Sequence, residues 1–478
     1  MGVRAYTSEP VDKTPYPDSN MSNETYTLSA LRPALNHQDT SSAVRLACAW
    51  LLLGIAALIG AGLLAILLVL ARTPGVNALI PIKDFFRAAL IVHVDLSVLI
   101  WFMAFGGVLW SLAGNERCSR LGWAGVWLAV IGTALMVVSP FCGDPRPLLN
   151  NYIPILQQPV FFAGLVAAML GFALTLLRGL LTATPSGWHT RSDVIAVGLY
   201  AGAVAGSLAF IGFLWSWLGR PAQEGHALYE AVFWGGGHTL QFQHALLMVV
   251  AWILLLDHLG RPLQTSPRLL CGLFLLAAAP VLAMPVIYLL APVGTPAHIV
   301  AFAKLMEHGH GLMTPLIILV LLALPGVWKL QSPLKSALFC SMLLFLAGGI
   351  LAFMIRGVNV VIPAHYHGSI VGVTLAFMGL AYALLPRLGY GVVEGRMARW
   401  QPYVYGGGQL IHIIGLAWSG GYGVQRKVAG SEQVLLTWQQ KTGMGMMGLG
   451  GLIAIIGGVL FVVVCLKAIK NKRPPLAG

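Results

Sequence analysis

Two histidines stand two residues apart in Val360-Val361-Ile362-Pro363-Ala364-His365-Tyr366-His367-Gly368-Ser369, at the entry of an apolar stretch long enough to cross a bilayer. On an α-helix that spacing turns the two imidazoles roughly 200° apart, so they point to nearly opposite sides. One helix could therefore ligate two different cofactors. An imidazole inside a membrane span is costly and marks a functional site by default. Histidines hydrogen-bonded between packed helices are the plainer alternative.

Further stretches carry the same kind of residue. Ile91-Val92-His93-Val94-Asp95 places an imidazole and a carboxyl in an earlier apolar run. A six-coordinate haem takes two axial imidazoles from different helices, so His93 is a natural partner for one member of the pair. In Trp234-Gly235-Gly236-Gly237-His238-Thr239-Leu240-Gln241-Phe242-Gln243-His244, three glycines let another helix or a flat cofactor come close. His238 and Gln241 share a helix face, which makes His238 the metal-ligand candidate and His244 a packing or proton-path residue.

The densest ionisable stretch is Lys304-Leu305-Met306-Glu307-His308-Gly309-His310-Gly311-Leu312-Met313-Thr314, with His298 shortly before it. Helical spacing puts Glu307, His310 and Thr314 on one face and Lys304 and His308 on another. Such a cluster at membrane depth reads as a metal site or a proton relay, or as a structural Lys–Glu pair. Gly406-Gly407-Gly408-Gln409 and His412 again permit close packing, and the following loop ends in Arg426-Lys427. Adjacent cations there could hold the carboxylates of a buried cofactor. The segment Gly143 to Pro154 is rich in Pro and Asn, and reads as an irregular loop that either lids the helices or simply connects them.

These residues need helices that span a membrane. The 478 residues are 58% hydrophobic and only 9% charged, where soluble chains carry about 25% charged residues. The fold class is therefore all-α, a polytopic membrane protein. Apolar runs of roughly 20 residues or more recur at about 45–71, 86–113, 121–141, 154–179, 194–218, 228–257, 268–291, 296–326, 334–355, 361–386, 400–422 and 444–468. With a cytoplasmic N-terminus, the inner connections hold Arg117, Arg120, Arg178, Arg191, Arg261, Arg268, Lys329, Lys335, Arg387, Arg396 and Arg399, and the tail adds Lys467, Lys470, Lys472 and Arg473. The outer side is poorer, with Lys83, Arg146, Arg220, Arg356, Arg426, Lys427 and Lys441. That asymmetry favours twelve spans with both ends inside. Anchoring accounts for the net charge of +13, so no nucleic-acid partner is invoked.

Residues 1–44 read as a polar, poorly ordered cytoplasmic tail without a signal-peptide core, 45–468 as the membrane domain, and 469–478 as a basic cytoplasmic tail. Met21 offers a second plausible start. The six cysteines are scattered, with no CxxC and no CxxCH, and suggest neither disulfides nor a thiolate metal site.

Histidine in span two, histidine in span six and His-x-His in span ten of a twelve-span chain resemble subunit I of the haem-copper oxidase superfamily, along nearly the whole chain. The resemblance implies a low-spin haem ligated by His93 and His367, a high-spin haem on His365, and a second active-site metal, copper or non-haem iron, on His238. It also implies that the Arg426-Lys427 loop binds haem propionates. The departures are informative. No adjacent His-His pair follows span seven, where Ala291-Pro292-Val293-Gly294-Thr295 stands, so Glu307, His308 or His310 substitutes or the metal is lost. Span six has Phe242 and no tyrosine after His238, while Tyr288 on span seven keeps a tyrosine arrangement open. Acidic residues near the second metal, such as Glu307, resemble nitric-oxide-reductase-like branches.

The expected function is the catalytic subunit of a respiratory terminal reductase in a bacterial-type inner membrane. Nitric oxide is favoured over O2, with Glu307, Lys304, Thr314 and Tyr288 near the chemistry. A non-catalytic haem protein lacking the second metal is the remaining alternative. Without covalent haem or Cys-rich copper sites in the chain, electrons would come from a partner subunit with a dinuclear copper or c-type haem centre, fed by cytochrome c or a similar donor.

Overall fold

The computed structural model describes residues 41–71, 85–426 and 434–472. Most of the expected tail at 1–44, the end of the basic tail with Arg473, and Lys83 and Lys427 lie outside the described residues.

Twelve helical spans of membrane length run through the described residues: Ser42–Ala71, Arg87–Ala113, Ser119–Phe141, Pro159–Thr182, Arg191–Leu218, His226–His258, Pro267–Leu290, Pro296–Gly326, Pro333–Phe353, Val361–Leu384, Gly395–Gly421 and Trp438–Lys470. They are called spans one to twelve below. Eleven are also apolar enough to cross a membrane by composition. Span eleven falls short because Arg396, Arg399, Gln401, Gln409 and His412 share its length.

Three spans change helix type internally. Span two widens into a π-helical segment at Asp95–Ile100, directly after His93. Spans seven and eight tighten into 3-10 turns at Ala279–Leu282 and His310–Met313, with Pro280 inside the first and Pro315 just after the second. Proline removes a backbone donor and crowds the preceding turn, which explains the local change. Span four starts later than the expected residue 154. Ile155–Leu156 instead pairs antiparallel with Pro147–Leu148, and Pro159 then opens the helix. The connection between spans three and four is thus a short folded strap.

The bundle has a centre and a rim. The most apolar window of span six is 89% buried and that of span ten 83%, against 28% and 22% for spans seven and eight. The histidine-bearing spans six and ten are therefore the axis around which the others pack. Close contact is made through glycine, as expected where apolar lipid gives helices no hydrophobic reason to associate. A Cβ on Gly368 of span ten would stand 2.7 Å from Gly348 Cα of span nine. One on Gly450 of span twelve would stand 2.4 Å from His412 N of span eleven.

Gly368→Ala should force spans nine and ten apart and cost about 1–3 kcal/mol, the usual range for overpacking. Gly349→Ala, beside the contact with nothing within 4 Å of its Cβ position, should leave stability unchanged. Thermal unfolding of the detergent-purified variants checks both, and equal melting points would show that the pair is not held by this contact.

Candidate functional site

Five intramembrane imidazoles share one local arrangement. Nδ1 of His93 lies 2.8 Å from the Ala61 carbonyl of span one, that of His365 2.8 Å from Gly348 O of span nine, and that of His412 2.9 Å from Met447 O of span twelve. Nδ1 of His238 and of His310 reach carbonyls of their own spans, Trp234 O at 2.7 Å and Met306 O at 3.1 Å. A carbonyl only accepts, and its second lone pair is free even when the helix ladder uses the first. Each Nδ1 therefore donates, and in the neutral ring Nε2 keeps the lone pair a metal ion needs. The glycine contacts between spans nine and ten, and eleven and twelve, bring two of these carbonyls within reach.

The imidazoles fall into two groups. His367 lies with its ring centroid 4.9 Å from that of His412, and within electrostatic reach of His93. His238 is within such reach of His298 and His310, and His310 of His365. His365 and His367 thus serve different groups from one helix, while Tyr366 between them is exposed. The donor set fits axial ligation of haem iron, which takes one imidazole nitrogen per face. The second group is open. Among the described residues no three His, Cys, Asp or Glu side chains stand close enough to hold a metal ion.

Span eight departs from the expected face. Its buried stripe is His298, Phe302, Gly309, Met313, Leu316 and Val320, and Glu307 lies about 200° round the helix from Gly309. Lys304, Glu307, His308 and Thr314 are accordingly exposed on the chain. The 3-10 turn that begins at His310 further breaks the register joining Glu307 to Thr314. The expected Glu307 and His308 ligands, and the expected relay through Lys304 and Thr314, are therefore not gathered around His238. His310 turns inward, stacked on Phe242 at 4.0 Å and lying against the Gln241 backbone.

His298 stands in the sequence beside the ionisable stretch of span eight, among the span-eight histidines expected in a relay but not among the expected metal ligands. It is fully buried, packs edge-on to Tyr288 and Phe302, and has no partner for either ring nitrogen. An orphaned buried imidazole costs free energy unless something ligates it. Its only sequence signal is an imidazole just after Pro296 at the entry of an apolar span. Tyr288 is engaged elsewhere, its hydroxyl 2.7 Å from Ser216 Oγ and donating to Gly212 O at 2.8 Å on span five. His244 packs edge-on to Phe102 at 4.9 Å.

The glycine triplet seats aromatic rings. Added Cβ atoms on Gly235, Gly236 and Gly237 would strike Tyr288, Phe213 and Tyr152. Tyr152 comes from the strap, and its ring lies 4.7 Å from the His238 ring. Burial, with the Glu230 carboxylate adding, pushes its phenol well above the usual range, against a hydrogen bond with the Gln241 side chain. Arg426 of the loop after span eleven donates to Asn151 Oδ1 at 3.4 Å and lies near Tyr366.

Comparison with known proteins agrees with this architecture. An uncharacterized protein of Rickettsia prowazekii (strain Madrid E) is 32% identical over 88% of this chain and 95% of its own length. An uncharacterized protein of Aquifex aeolicus (strain VF5) is 29% identical over 74% of this chain and 88% of its own. A solved haem-copper terminal oxidase dimer superposes with a TM-score of 0.67 at 16% identity, covering 91% of this chain and 86% of that one. The family model for Cytochrome C and Quinol oxidase polypeptide I matches residues 45–459, and the chain therefore belongs to that family, the subunit I of haem-copper oxidases.

Proposed function

We propose that the chain is the catalytic subunit of a respiratory membrane reductase that reduces nitric oxide. The observation that carries this reading is the set of imidazoles with Nδ1 on a carbonyl, divided between two groups by one helix. His93 and His367 would hold a low-spin haem, with His412 beside them. His365 would hold a high-spin haem, and a second metal, copper or non-haem iron, would start from His238, around which no set of three ligand side chains is gathered among the described residues. When bound, these groups supply one-electron chemistry and a place for the gas. The chain orients them: each carbonyl fixes a ring tautomer, and the short backbone from His367 through Tyr366 to His365 joins the two sites.

Nitric oxide is preferred because the span-six position one turn after His238 is Phe242, and because the Tyr288 hydroxyl is bonded to span five. O2 is the second reading, favoured by the Tyr152 phenol beside His238. Arg426 would face haem carboxylates, with Lys427 next in the chain. A separate subunit with a dinuclear copper or c-type haem centre would deliver electrons from cytochrome c or a similar donor. The expected setting is a bacterial-type inner membrane with both termini cytoplasmic.

Pigment and metal analysis of the purified chain should give two haems and one further copper or iron. His367→Ala should remove the low-spin haem spectrum and leave the high-spin one, whereas loss of both together would sink the division into two sites.

Turnover with an artificial donor should consume two NO, two electrons and two protons per N2O released, faster than O2 is reduced. His238→Ala should lower that rate by more than about 100-fold, the upper end of what outer-shell changes cause at metal sites. Faster consumption of O2 than of NO would replace the nitric oxide reading with the oxygen one.

A further inference from the structure

Cations collect at the end of the bundle where span eight passes into span nine and span eleven begins. A cavity of about 270 Å³ there is lined by Lys329, Lys335, Arg396 and Arg399, together with Trp328 and Trp400. A buried water needs roughly 10–15 Å³ of such space, so this cavity has room for a phosphate group and its substituents. A second cavity of about 600 Å³ shares Trp328, Lys329 and Leu330 with the first, and its other walls include Leu321, Leu324 and Pro325. A basic cavity and a largely apolar one are therefore neighbours across one short segment of chain. Trp328 is 62% exposed and Trp400 63%, and indole rings near the ends of spans sit at head-group level.

Nothing of opposite sign answers these charges. Lys335 Nζ donates to the Tyr403 hydroxyl at 3.0 Å, and Arg399 Nη1 donates to Gln331 Oε1 at 2.6 Å. Both acceptors are neutral, so the bonds set where the cations point and leave their charge uncompensated. No Asp or Glu lines either cavity, and among the described residues none of the four cations makes an ion pair. Span nine opens at the same place, where Ser332 Oγ accepts from Leu334 N at 3.2 Å ahead of the helix, and the positive end of its dipole adds to the field. Four like charges held around one cavity repel one another, and an anion among them removes that cost. The apolar neighbour decides which anion. Free phosphate would use the first cavity alone, whereas a phospholipid fills both. A zwitterionic head group would bring an ammonium for which the lining offers no carboxylate.

We propose that the two cavities form one site for an anionic glycerophospholipid, with its phosphate among Lys329, Lys335, Arg396 and Arg399 and an acyl chain along Leu321, Leu324 and Pro325. Trp328, packed edge-on to Phe339 at 5.3 Å, stands where the two cavities meet. Basic pockets between spans take anionic head groups in this way, each Lys or Arg adding to the attraction. The site uses none of the histidines, so it does not rest on which gas is reduced.

The test uses the full-length chain, purified and stripped of lipid in a neutral detergent. Phosphatidylglycerol, phosphatidylcholine and inorganic phosphate are titrated separately, with bound molecules counted by native mass spectrometry and the melting temperature followed. One phosphatidylglycerol should bind ahead of any phosphatidylcholine and raise the melting temperature. A basic side chain beside an anionic lipid contributes about five-fold in affinity, so Arg396→Gln with Arg399→Gln should weaken that binding by about 25-fold. Arg396→Lys with Arg399→Lys should keep most of it. Should the glutamine pair melt early without lipid, Lys329→Gln, at an exposed side chain, carries the same test with a loss of about five-fold. Leu324→Asn should weaken phosphatidylglycerol and leave inorganic phosphate unchanged. Arg117→Gln with Arg120→Gln, at exposed side chains between spans two and three and outside both cavities, should change nothing. Equal binding of phosphatidylglycerol and phosphatidylcholine, or an equal loss in the Arg117 and Arg120 variant, would overturn the site by reducing it to general attraction between a basic surface and lipid. Inorganic phosphate binding as tightly as phosphatidylglycerol, with Leu324→Asn neutral for both, would overturn the lipid in favour of a free anion.

Discussion

Inside a bilayer a polar donor has no water to turn to, so a ring N–H is costly to bury unless it finds an acceptor within the bundle. This constraint sets the state of the histidines on which everything else depends. Helix carbonyls are the acceptors in reach, and they can take a second hydrogen bond without breaking the ladder. His93, His238, His310, His365 and His412 all use them through Nδ1. The same bond that removes an unsatisfied donor leaves Nε2 as the lone-pair nitrogen. Satisfying the fold and leaving a ring-nitrogen lone pair free are thus one interaction.

Glycine makes the arrangement possible between helices. His365 reaches the carbonyl of Gly348 because the backbones of spans nine and ten touch at Gly348 and Gly368, where no Cβ would fit. His412 reaches Met447 O because span twelve lies against span eleven at Gly450. In span six the glycines have a different use, since Gly235, Gly236 and Gly237 receive the side chains of Tyr288, Phe213 and Tyr152. The triplet is a socket for three aromatic side chains, of which Tyr152 lies against His238, and it keeps one of the most buried spans densely filled.

The centre and the rim differ in what they do with polar residues. On spans six and ten the imidazoles are enclosed and oriented. On span eight, the least buried of the eleven apolar spans, Lys304, Glu307, His308 and Thr314 point away from His238 while His298 and His310 point inward. One helix therefore presents two faces, and only the inward one comes within electrostatic reach of His238.

Several features were legible in the residues alone. Spanning length, charge asymmetry and the placement of His93, His238, His365 and His367 on spans two, six and ten are local properties, because hydropathy runs and helical spacing depend on neighbours in the chain. The opposed directions of His365 and His367 follow from helix geometry by itself. Which face of span eight is buried does not, since Glu307 and His310 are equally good occupants of a helix face until other spans cover one of them. Nor could sequence show that His298 is orphaned, that Tyr152 of a connecting loop rests on His238, or that Tyr288 is bonded to span five. Those facts depend on contacts between residues far apart in the chain, and only the packing of the twelve helices decides them.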